Sequence, residues 1–410
     1  MTHWRLITDD SVTASFGLAA DECLAERVGA GQSHPTLRLY TYRSHCALVG
    51  RFQNLDNEVY REYCQAHGIA LNRRPTGGGA IIMGADQLGV ALTMPGRGDD
   101  SYSRARELMA HFSQGIVNAL QSLGVQAHFR RKNDIEVNGR KIVGLGIYRA
   151  HSQTRPDFAS SASPANQPCG LLFHASLLVG LDVPLMLRVL RTPFEKISDK
   201  EIATVAERVT TVRREIGREI ELREVRRSVA EGYATAFGVS LAPGDFTAEE
   251  RTAIAMLERD KYLAEAWVNQ TTAVRDALGA AKVKTPGGLL DVRVALAGGT
   301  VKSLFVGGDF FAAEGAIADL ESSLRWHSAD PSAVAAALAC AYTGRADDLI
   351  ALPLDALVTA VQQAIRRARL AESAARADPY GCFVNPTANY KLPTTNSKIQ
   401  DPDLMPGTTV

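Results

Sequence analysis

Apolar residues in the first 240 positions follow two spacings, one typical of strands and one typical of helices. The alternating run 37–42 predicts a strand, and so does the run 170–174. Between Ala105 and Leu123 the apolar residues recur every three or four positions, which predicts an amphipathic helix. Strands and helices that alternate in this way predict a mixed domain for this part of the chain.

A second and smaller mixed unit is predicted after residue 240. The Pro-Gly pair at 243–244 should break regular structure, and a helix is predicted from Thr247 to about residue 270. Two alternating runs, 290–294 and 301–306, flank the pair Gly298-Gly299 and predict a hairpin. The predicted fold class is therefore α+β, with a larger domain followed by a smaller one.

Beyond residue 345 the composition changes again. Apolar residues at helical spacing between Leu354 and Ile365 predict an amphipathic helix in an extension that covers 346–378. Residues 379–410 are rich in Pro, Thr, Asn and Asp. A tail of this composition is predicted to be poorly ordered unless another element holds it.

The most informative motif is Arg73-Arg74-Pro75-Thr76-Gly77-Gly78-Gly79-Ala80. Three consecutive glycines leave the backbone bare, so that a ligand can lie directly against the main chain. Exposed N–H groups bind anions, and arginine supplies paired donors for phosphate or carboxylate. The motif matches neither the phosphate loop that ends in Gly-Lys-Ser/Thr nor Gly-x-Gly-x-x-Gly. The alternative is a flexible surface loop, since glycine clusters mark loops in general.

A second motif lies at 132–144, around the pair Asn138-Gly139. This pair between alternating runs predicts a hairpin, because a type I′ turn needs two residues with positive φ. Strict alternation would place Lys141 and Val143 on one face of the returning strand, and Arg140 and Ile142 on the other. Lysines on hairpins are usually solvated. The glycine motif upstream favours a functional role for Lys141.

Composition and charge indicate an ordinary globular protein. The chain has 410 residues, 46% hydrophobic and 22% charged, which suits two or three domains. Its 45 basic residues balance 45 acidic ones, and this balance argues against a nucleic-acid-binding protein. The tight basic cluster Arg130-Arg131-Lys132 is either a solvated turn or a contact for phosphate or an acidic acceptor protein.

Cysteine usage and hydropathy predict a cytoplasmic protein with no metal cluster. The six cysteines show no C-x-x-C pair, and the nine histidines are scattered, so we expect no zinc site. The N-terminus shows no export signal, and no run reaches the roughly 18 apolar residues of a membrane span. We therefore expect a soluble protein that contacts neither membrane nor nucleic acid.

Four segments in order resemble the lipoate–protein ligase A family, within the larger group of biotin and lipoate ligases. The first helix of that family is matched by 16–23, its strand and loop with Val-x-Gly-Arg by 47–54, and its arginine–glycine loop by 73–80. Residues 133–144 match its asparagine-aspartate and lysine segment. Further matches downstream resemble the family's linker and its small accessory domain.

The resemblance implies a reaction in two steps. ATP and lipoate or octanoate give an acyl-adenylate, and the acyl group then passes to a lysine of an acceptor protein. The resemblance implies that Lys141 is catalytic and that Asp134 holds Mg²⁺. The acceptor would be a lipoyl domain, a glycine-cleavage H-type protein or a single-domain lipoate-binding protein. The residues predicted to bind the substrate or adenylate are Val49, Arg73, Arg74, Thr76, Gly77, Gly78, Gly79, Ala80, Ile81, Asn133, Val143 and Gly144.

Departures from the family leave alternatives open. The run 81–88 has features of the octanoyltransferases, which move octanoyl between carrier proteins without ATP and use a cysteine nucleophile. The string Cys382-Phe383-x-x-Pro386 resembles the nucleophile loop of one octanoyltransferase group, but it lies near the opposite end of the chain. A non-catalytic protein that binds adenylate or carrier is the third possibility. Lys141, Asn133 and Asp134 argue against it.

The resemblance also suggests how the chain divides. A catalytic domain is expected at 1–241, a linker with its helix at 242–270 and an accessory domain at 271–345. A helical extension at 346–378 and the tail at 379–410 would follow.

Overall fold

A computed structural model describes residues 3–96, 104–130, 133–151, 169–191, 207–270, 279–349 and 351–377. Within these ranges the strands are β1 His3–Val12, β2 Thr36–Tyr42, β3 Cys46–Val49, β4 Ala70–Arg73, β5 Ile81–Met83, β6 Gln87–Pro95, β7 His128–Arg130, β8 Asp134–Val137, β9 Arg140–His151, β10 Cys169–Leu178, β11 Ser240–Pro243, β12 Gly279–Thr285, β13 Gly288–Ala297, β14 Thr300–Gly308 and β15 His327–Ser328. The helices are α1 Ala14–Gly29, α2 Leu55–Glu58, α3 Arg61–Ala66, α4 Ala105–Phe112, α5 Gln114–Ser122, α6 Val183–Val189, α7 Val212–Ile216, α8 Leu222–Phe237, α9 Ala248–Leu257, α10 Glu265–Asn269, α11 Glu314–Ser323, α12 Pro331–Thr343 and α13 Leu354–Ala377. The fold is α+β, as predicted.

The largest element is a mixed eight-stranded sheet in the order β11-β1-β2-β6-β10-β9-β8-β7. β1 pairs in parallel with β11 and β2, and the remaining neighbours pair antiparallel. An apolar core on one face includes residues of α4, α5 and α8, and a second core includes buried residues of α1. Both faces of the sheet are thus covered.

A three-stranded sheet in the order β4-β3-β5 lies beside the large one. β3 runs parallel to β4 and antiparallel to β5. The glycine motif connects β4 to β5, and the loop 50–53 follows β3. Because β3 is the central strand, these two loops leave the sheet next to each other.

The hairpin at Asn138-Gly139 forms as predicted, with φ values of 49° and 78° at the two turn residues. The strict alternation predicted for β9 is wrong, however. Glu136 pairs with Lys141 while Ile135 pairs with Val143, so that one residue of β9 is extra. This bulge places both Ile142 and Val143 in the same apolar core.

The helix predicted for 105–123 is divided at Ser113 into α4 and α5. The predicted strand at 170–174 is part of β10. The predicted linker helix from Thr247 is also divided, into α9, a π-helical turn at Glu258–Tyr262 and α10. Thr247 and Glu250 cap α9 reciprocally. The tail from 379 lies outside the described residues.

The second unit is built on a four-stranded antiparallel sheet, β12-β13-β14-β15. The predicted hairpin forms between β13 and β14, where Gly298 has a φ of 61°. α11, α12 and α13 contribute to the same apolar core as this sheet. The helix predicted near 354–365 therefore packs on the second unit. No helix of the described residues has the length and apolarity needed to cross a membrane.

Candidate functional site

A cavity of about 120 Å³ lies where the glycine motif faces β9 and β10. Its polar walls come from the motif and the start of β9, and its apolar walls come from α1, β2, β3 and β5. The lining residues are Leu18, Tyr40, Tyr42, Leu48, Arg74, Thr76, Gly77, Gly78, Gly79, Ala80, Ile81, Met83, Asn133, Lys141, Gly144, Leu145, His174, Ala175 and Ser176. One end is thus suited to an anion and the other to an apolar chain.

Lys141 supplies a primary amine to this cavity. Its Nζ lies 2.7 Å from Asp134 Oδ1, and both side chains are partly exposed. The backbone of Lys141 also bonds to a second segment, since its N–H donates to the Arg208 carbonyl and its carbonyl accepts from the Thr210 N–H. The bulge and this crossing segment together fix where Lys141 points. A positioned ammonium group of this kind can stabilise negative charge that develops on a substrate.

The glycine motif is held by side chains beneath it. Gly78 has a φ of 94°, which glycine adopts at little cost. Thr76 Oγ1 lies 2.8 Å from His174 Nε2, and the Arg74 guanidinium donates to the carbonyls of Leu48 and Gly79. Asn133 Nδ2 donates to the Leu145 carbonyl at 3.2 Å. These hydrogen bonds define the shape of the loop.

Burial sets the protonation of two groups under the loop. Burial, and then the nearby Arg74 charge, lower the pKa of His174 to about 3, so that its imidazole is neutral at neutral pH. Burial lowers the pKa of Arg74 to about 10, which leaves the guanidinium charged. The site therefore keeps a buried positive charge next to bare backbone, the combination that an anionic group requires.

The second unit reaches the glycine motif through the loop after β14. A side chain at Gly77 would overlap the Phe310 carbonyl oxygen, and one at Gly78 would lie 3.4 Å from the Phe311 ring. Phe310 stacks on Phe52, with ring centroids 5.1 Å apart. The glycine backbone thus faces the cavity on one side and the second unit on the other.

The structure brings most of the predicted site residues together. Arg74, Thr76, the three glycines, Ala80, Ile81, Asn133, Lys141 and Gly144 line the cavity, and Asp134 lies beside it through its ion pair with Lys141.

Three predicted binding residues lie elsewhere. Val49 and Val143 are fully buried in two different apolar cores, because β3 and the bulged β9 turn them away from the cavity. The Arg73 guanidinium is also fully buried, and it bonds to backbone carbonyls outside the cavity. None of the three lines the cavity described here.

Sequence reasoning missed several lining residues. Tyr40 and Tyr42 both face the cavity, as residues two apart on one strand do. Leu18 and Met83 complete the apolar wall, and Ser176 lies near Lys141. The alternation of β2 could have identified the two tyrosines. Nothing in the local sequence could have shown that α1 and β5 meet there.

No group of three or more potential metal ligands from His, Cys, Asp and Glu occurs among the described residues. Four of the six cysteines, Cys23, Cys46, Cys64 and Cys169, are buried, and Cys340 is exposed on α12. None of these five lines the cavity. Cys382 lies outside the described residues.

Comparisons with known proteins agree on a family but not on one activity. The sequence model of the lipoyl protein ligase A/B catalytic domain matches residues 13–234. The chain is similar to octanoyltransferase LipM of Kyrpidia tusciae, with 31% identity over 65% of this chain and 98% of that protein.

Among solved structures, a bipartite lipoate protein ligase from Thermoplasma acidophilum, determined with its E2 lipoyl domain, aligns with a TM-score of 0.56 and 25% identity. The alignment covers 66% of this chain and 97% of that one. LipL1 of P. falciparum in complex with lipoate aligns over 82% of this chain and 93% of its own, with a TM-score of 0.60 and 14% identity. The last comparison establishes a shared fold.

Proposed function

The chain belongs to the lipoyl protein ligase A/B family, and from this premise we propose that it is an ATP-dependent lipoate–protein ligase. That it is an enzyme of lipoyl or octanoyl transfer follows from the family. The proposal concerns how the acyl group is activated. It states that lipoate or octanoate is converted to an acyl-adenylate, which then acylates a lysine of a lipoyl-acceptor protein.

One observation carries this proposal: no cysteine of the described residues lines the cavity. The octanoyltransferases, which move the acyl group between carriers without ATP, use a cysteine nucleophile at the reacting carbon. The five cysteines of the described residues lie outside the cavity lining. Burial raises the pKa of the Cys23 thiol to about 12 and that of Cys46 higher still, so neither forms a thiolate at neutral pH.

The lining residues suit adenylate chemistry instead. In the first step an oxygen of the fatty-acid carboxylate bonds to the α-phosphorus of ATP while the bond to pyrophosphate breaks. Backbone N–H groups of the glycine motif and the Lys141 ammonium would stabilise the added negative charge. Tyr42, Leu48 and Met83 would hold the hydrocarbon chain.

In the second step the neutral ε-amine of an acceptor lysine bonds to the carbonyl carbon. AMP then leaves with the electrons of the broken C–O bond, and the amine releases a proton. AMP is a good leaving group because its phosphate bears the charge, and Lys141 would remain beside that phosphate. The acceptor would be a lipoyl domain or a related carrier.

A magnesium ion would accompany ATP. The described residues offer one carboxylate beside the cavity, that of Asp134, whose Oδ1 is paired with Lys141. One carboxylate suits Mg²⁺ when substrate phosphates and water supply its other ligands. Asp134 would therefore hold the ion only together with a bound nucleotide.

The second candidate function is an ATP-independent octanoyltransferase. The name of the relative from Kyrpidia tusciae favours it. The remaining thiol, Cys382, would have to act as the nucleophile, because the other five lie outside the cavity lining. Substitution of this residue therefore separates the two functions.

The test compares two acyl donors with the wild-type chain and with Cys382→Ala. Acylation of a lipoyl domain is measured by mass, either from octanoate with ATP and Mg²⁺ or from octanoyl carrier protein without ATP. A ligase acylates the domain only with ATP, and equally well in both proteins. Transfer from the carrier that is lost in Cys382→Ala would establish the octanoyltransferase instead.

A further inference from the structure

Arg73 belongs to the glycine motif, but its charge has no role in the reaction steps given above. Its guanidinium is fully buried, and it donates to five backbone carbonyls. The acceptors are Gly50 at 2.9 Å, Arg51 at 3.1 Å, Gln53 at 2.6 Å, Trp267 at 3.0 Å and Val268 at 3.3 Å. No carboxylate of the described residues pairs with it. A buried cation surrounded only by carbonyls costs stability, so its position calls for an explanation.

The five carbonyls belong to two separate segments. Three lie in the loop 50–53 that follows β3, and two lie in α10 at the end of the linker. The guanidinium is planar and carries donors in several directions, so one side chain can join both segments. Trp267 also donates to Arg73: its indole Nε1–H bonds to the Arg73 carbonyl at 3.0 Å.

The loop 50–53 is also where the second unit touches the first. Arg51 is ion-paired with Glu314, and its guanidinium lies 4.7 Å from the centre of the Trp267 ring. The Phe52 carbonyl accepts from the Gly308 N–H at 2.9 Å. Arg73 therefore contacts both routes by which the second unit is attached, the linker and the interface loop.

Arg73 also lies directly before the residues that line the cavity. Its own backbone pairs with Val49, and the Arg51 N–H donates to the Thr76 carbonyl at 2.9 Å. A shift of the loop 50–53 or of α10 would therefore be transmitted to Thr76 and the glycines. Burial, and then repulsion from Arg51 and Arg74, lower the pKa of Arg73 to about 9. Hydrogen bonds to the two segments, and not a negative charge, therefore hold the Arg73 guanidinium in place.

We propose that Arg73 is a positioning residue that couples the placement of the second unit to the shape of the glycine motif, so that adenylate formation depends on it and acyl transfer does not. This inference rests on the proposed function and deepens it. With the second unit seated, the loop 50–53 and α10 hold Arg73, and the motif has the shape needed for ATP. When the unit leaves, the loop 50–53 loses its contacts with Gly308 and Glu314, its hold on Arg73 loosens, and the motif opens toward the acceptor protein.

The test uses the full chain with Arg73→Lys. Lysine keeps the charge, but its single nitrogen cannot join both segments. Pyrophosphate release from ATP and octanoate should fall on the order of tenfold to a hundredfold, the cost of a small misplacement of reacting groups. Transfer from supplied octanoyl-AMP to a lipoyl domain should stay within about twofold. An equal fall in both half-reactions would overturn the inference, because a merely structural role predicts that result.

Arg61→Lys is the matched control. Arg61 Nη2 donates to Asn269 Oδ1 at 3.0 Å, so it contacts the same helix without contacting the glycine motif. It should leave both half-reactions near the wild-type rates. A double-mutant cycle with Trp267→Phe adds a further check. If Arg73 and Trp267 act through the same contact, the double variant should slow pyrophosphate release by less than the sum of the two single effects. Fully additive effects would contradict the proposed coupling.

Hydrogen exchange separates this inference from the proposed function. In Arg73→Lys the amides of 51–53, 76–79 and 265–269 should lose protection together, while those of β9 and β10 keep theirs. If the wild-type chain released no pyrophosphate at all, the proposed function would fail. Hydrogen exchange alone would then test whether Arg73 couples the second unit to the glycine motif. Loss of protection confined to one of the three segments would overturn the coupling.

Discussion

Lys141 and Arg140 are neighbours on β9, yet only Lys141 lines the cavity. Lys141→Ala should reduce adenylate formation on the order of a hundredfold to a thousandfold, as removal of one charge-stabilising donor does in other active sites. Stability should change by less than about 1 kcal/mol, because the ion pair with Asp134 is partly exposed. Pyrophosphate release and chemical denaturation measure the two effects.

Arg140→Ala is the control for this variant. Arg140 Nη2 lies 3.0 Å from Glu215 Oε1 in an ion pair of comparable exposure, but it does not line the cavity. Its loss should leave pyrophosphate release nearly unchanged. Wild-type rates in Lys141→Ala, or equal losses in the two variants, would remove Lys141 from the mechanism.

His174 gives a prediction about pH. Its pKa lies near 3 in the folded chain, against 6.5 for an exposed histidine. Between these values the unfolded chain binds a proton that the folded chain does not, so stability falls as pH is lowered through 6.5. Between pH 7 and pH 5, the free energy of unfolding of His174→Gln should fall by about 2 kcal/mol less than that of the wild type. Urea denaturation at several pH values measures this difference, and identical pH profiles would show that His174 is not buried as a neutral group.

At the scale of elements, the contact between the glycine motif and the loop after β14 is a backbone contact. Gly77→Ala would place a methyl group against the Phe310 carbonyl, which cannot move without the second unit. We expect this variant to shift the second unit away from the first and to slow adenylate formation. Limited proteolysis of the linker reports this shift. Gly79→Ala is the control, because a methyl group at Gly79 meets open space. Equal cleavage of the two variants would contradict the contact.

The hairpin at Asn138-Gly139 was predictable from sequence because its turn chemistry is local. The bulge that separates Lys141 from Val143 was not, because it depends on pairing with β8 and on the segment 208–210. The motif 73–80 predicts a binding site, and most of its residues line the cavity. It could not show that Arg74 and Arg73 point to different places, since that depends on how β4 joins β3.

At the scale of the whole molecule, the linker is part of the first unit's core. Glu22 on α1 is buried, and it accepts from Lys261, Tyr262 and Tyr148. A chain that ended at Phe246 would lose two of these donors and also the packing of Ile254 and Tyr262 against α1. We expect it to be less stable than a chain that ends at Gln270 by about 3–5 kcal/mol, since each large buried apolar side chain contributes about 1.5–3 kcal/mol.

The chain that ends at Gln270 should fold and transfer a supplied adenylate, but make the adenylate slowly from ATP. The relative from Kyrpidia tusciae aligns over 98% of its own length with only 65% of this chain. This coverage supports the expectation that the first unit folds without the second. If the second unit closes over the site, its removal should reduce pyrophosphate release and not transfer. Activation at the full-length rate would give the second unit no catalytic role.

The hairpin between β13 and β14 was predictable from sequence, since its turn depends on the local pair Gly298-Gly299. The contact between the second unit and the motif was not. It is made by Phe310 and Phe311, which resemble ordinary core residues in the sequence and meet Gly77 and Gly78 only through the folded linker. Long-range contacts of this kind leave no signal in the spacing of residues.

Activation of a free carboxylic acid with ATP distinguishes the proposed ligase from an octanoyltransferase. The most direct measurement is isotope exchange between pyrophosphate and ATP, with and without octanoate or lipoate, in the wild-type chain and in Cys382→Ala. An ATP-dependent ligase shows exchange that requires the acid and Mg²⁺ and is the same in both proteins. No exchange with either acid, together with octanoyl transfer from a carrier that disappears in Cys382→Ala, would contradict the proposal.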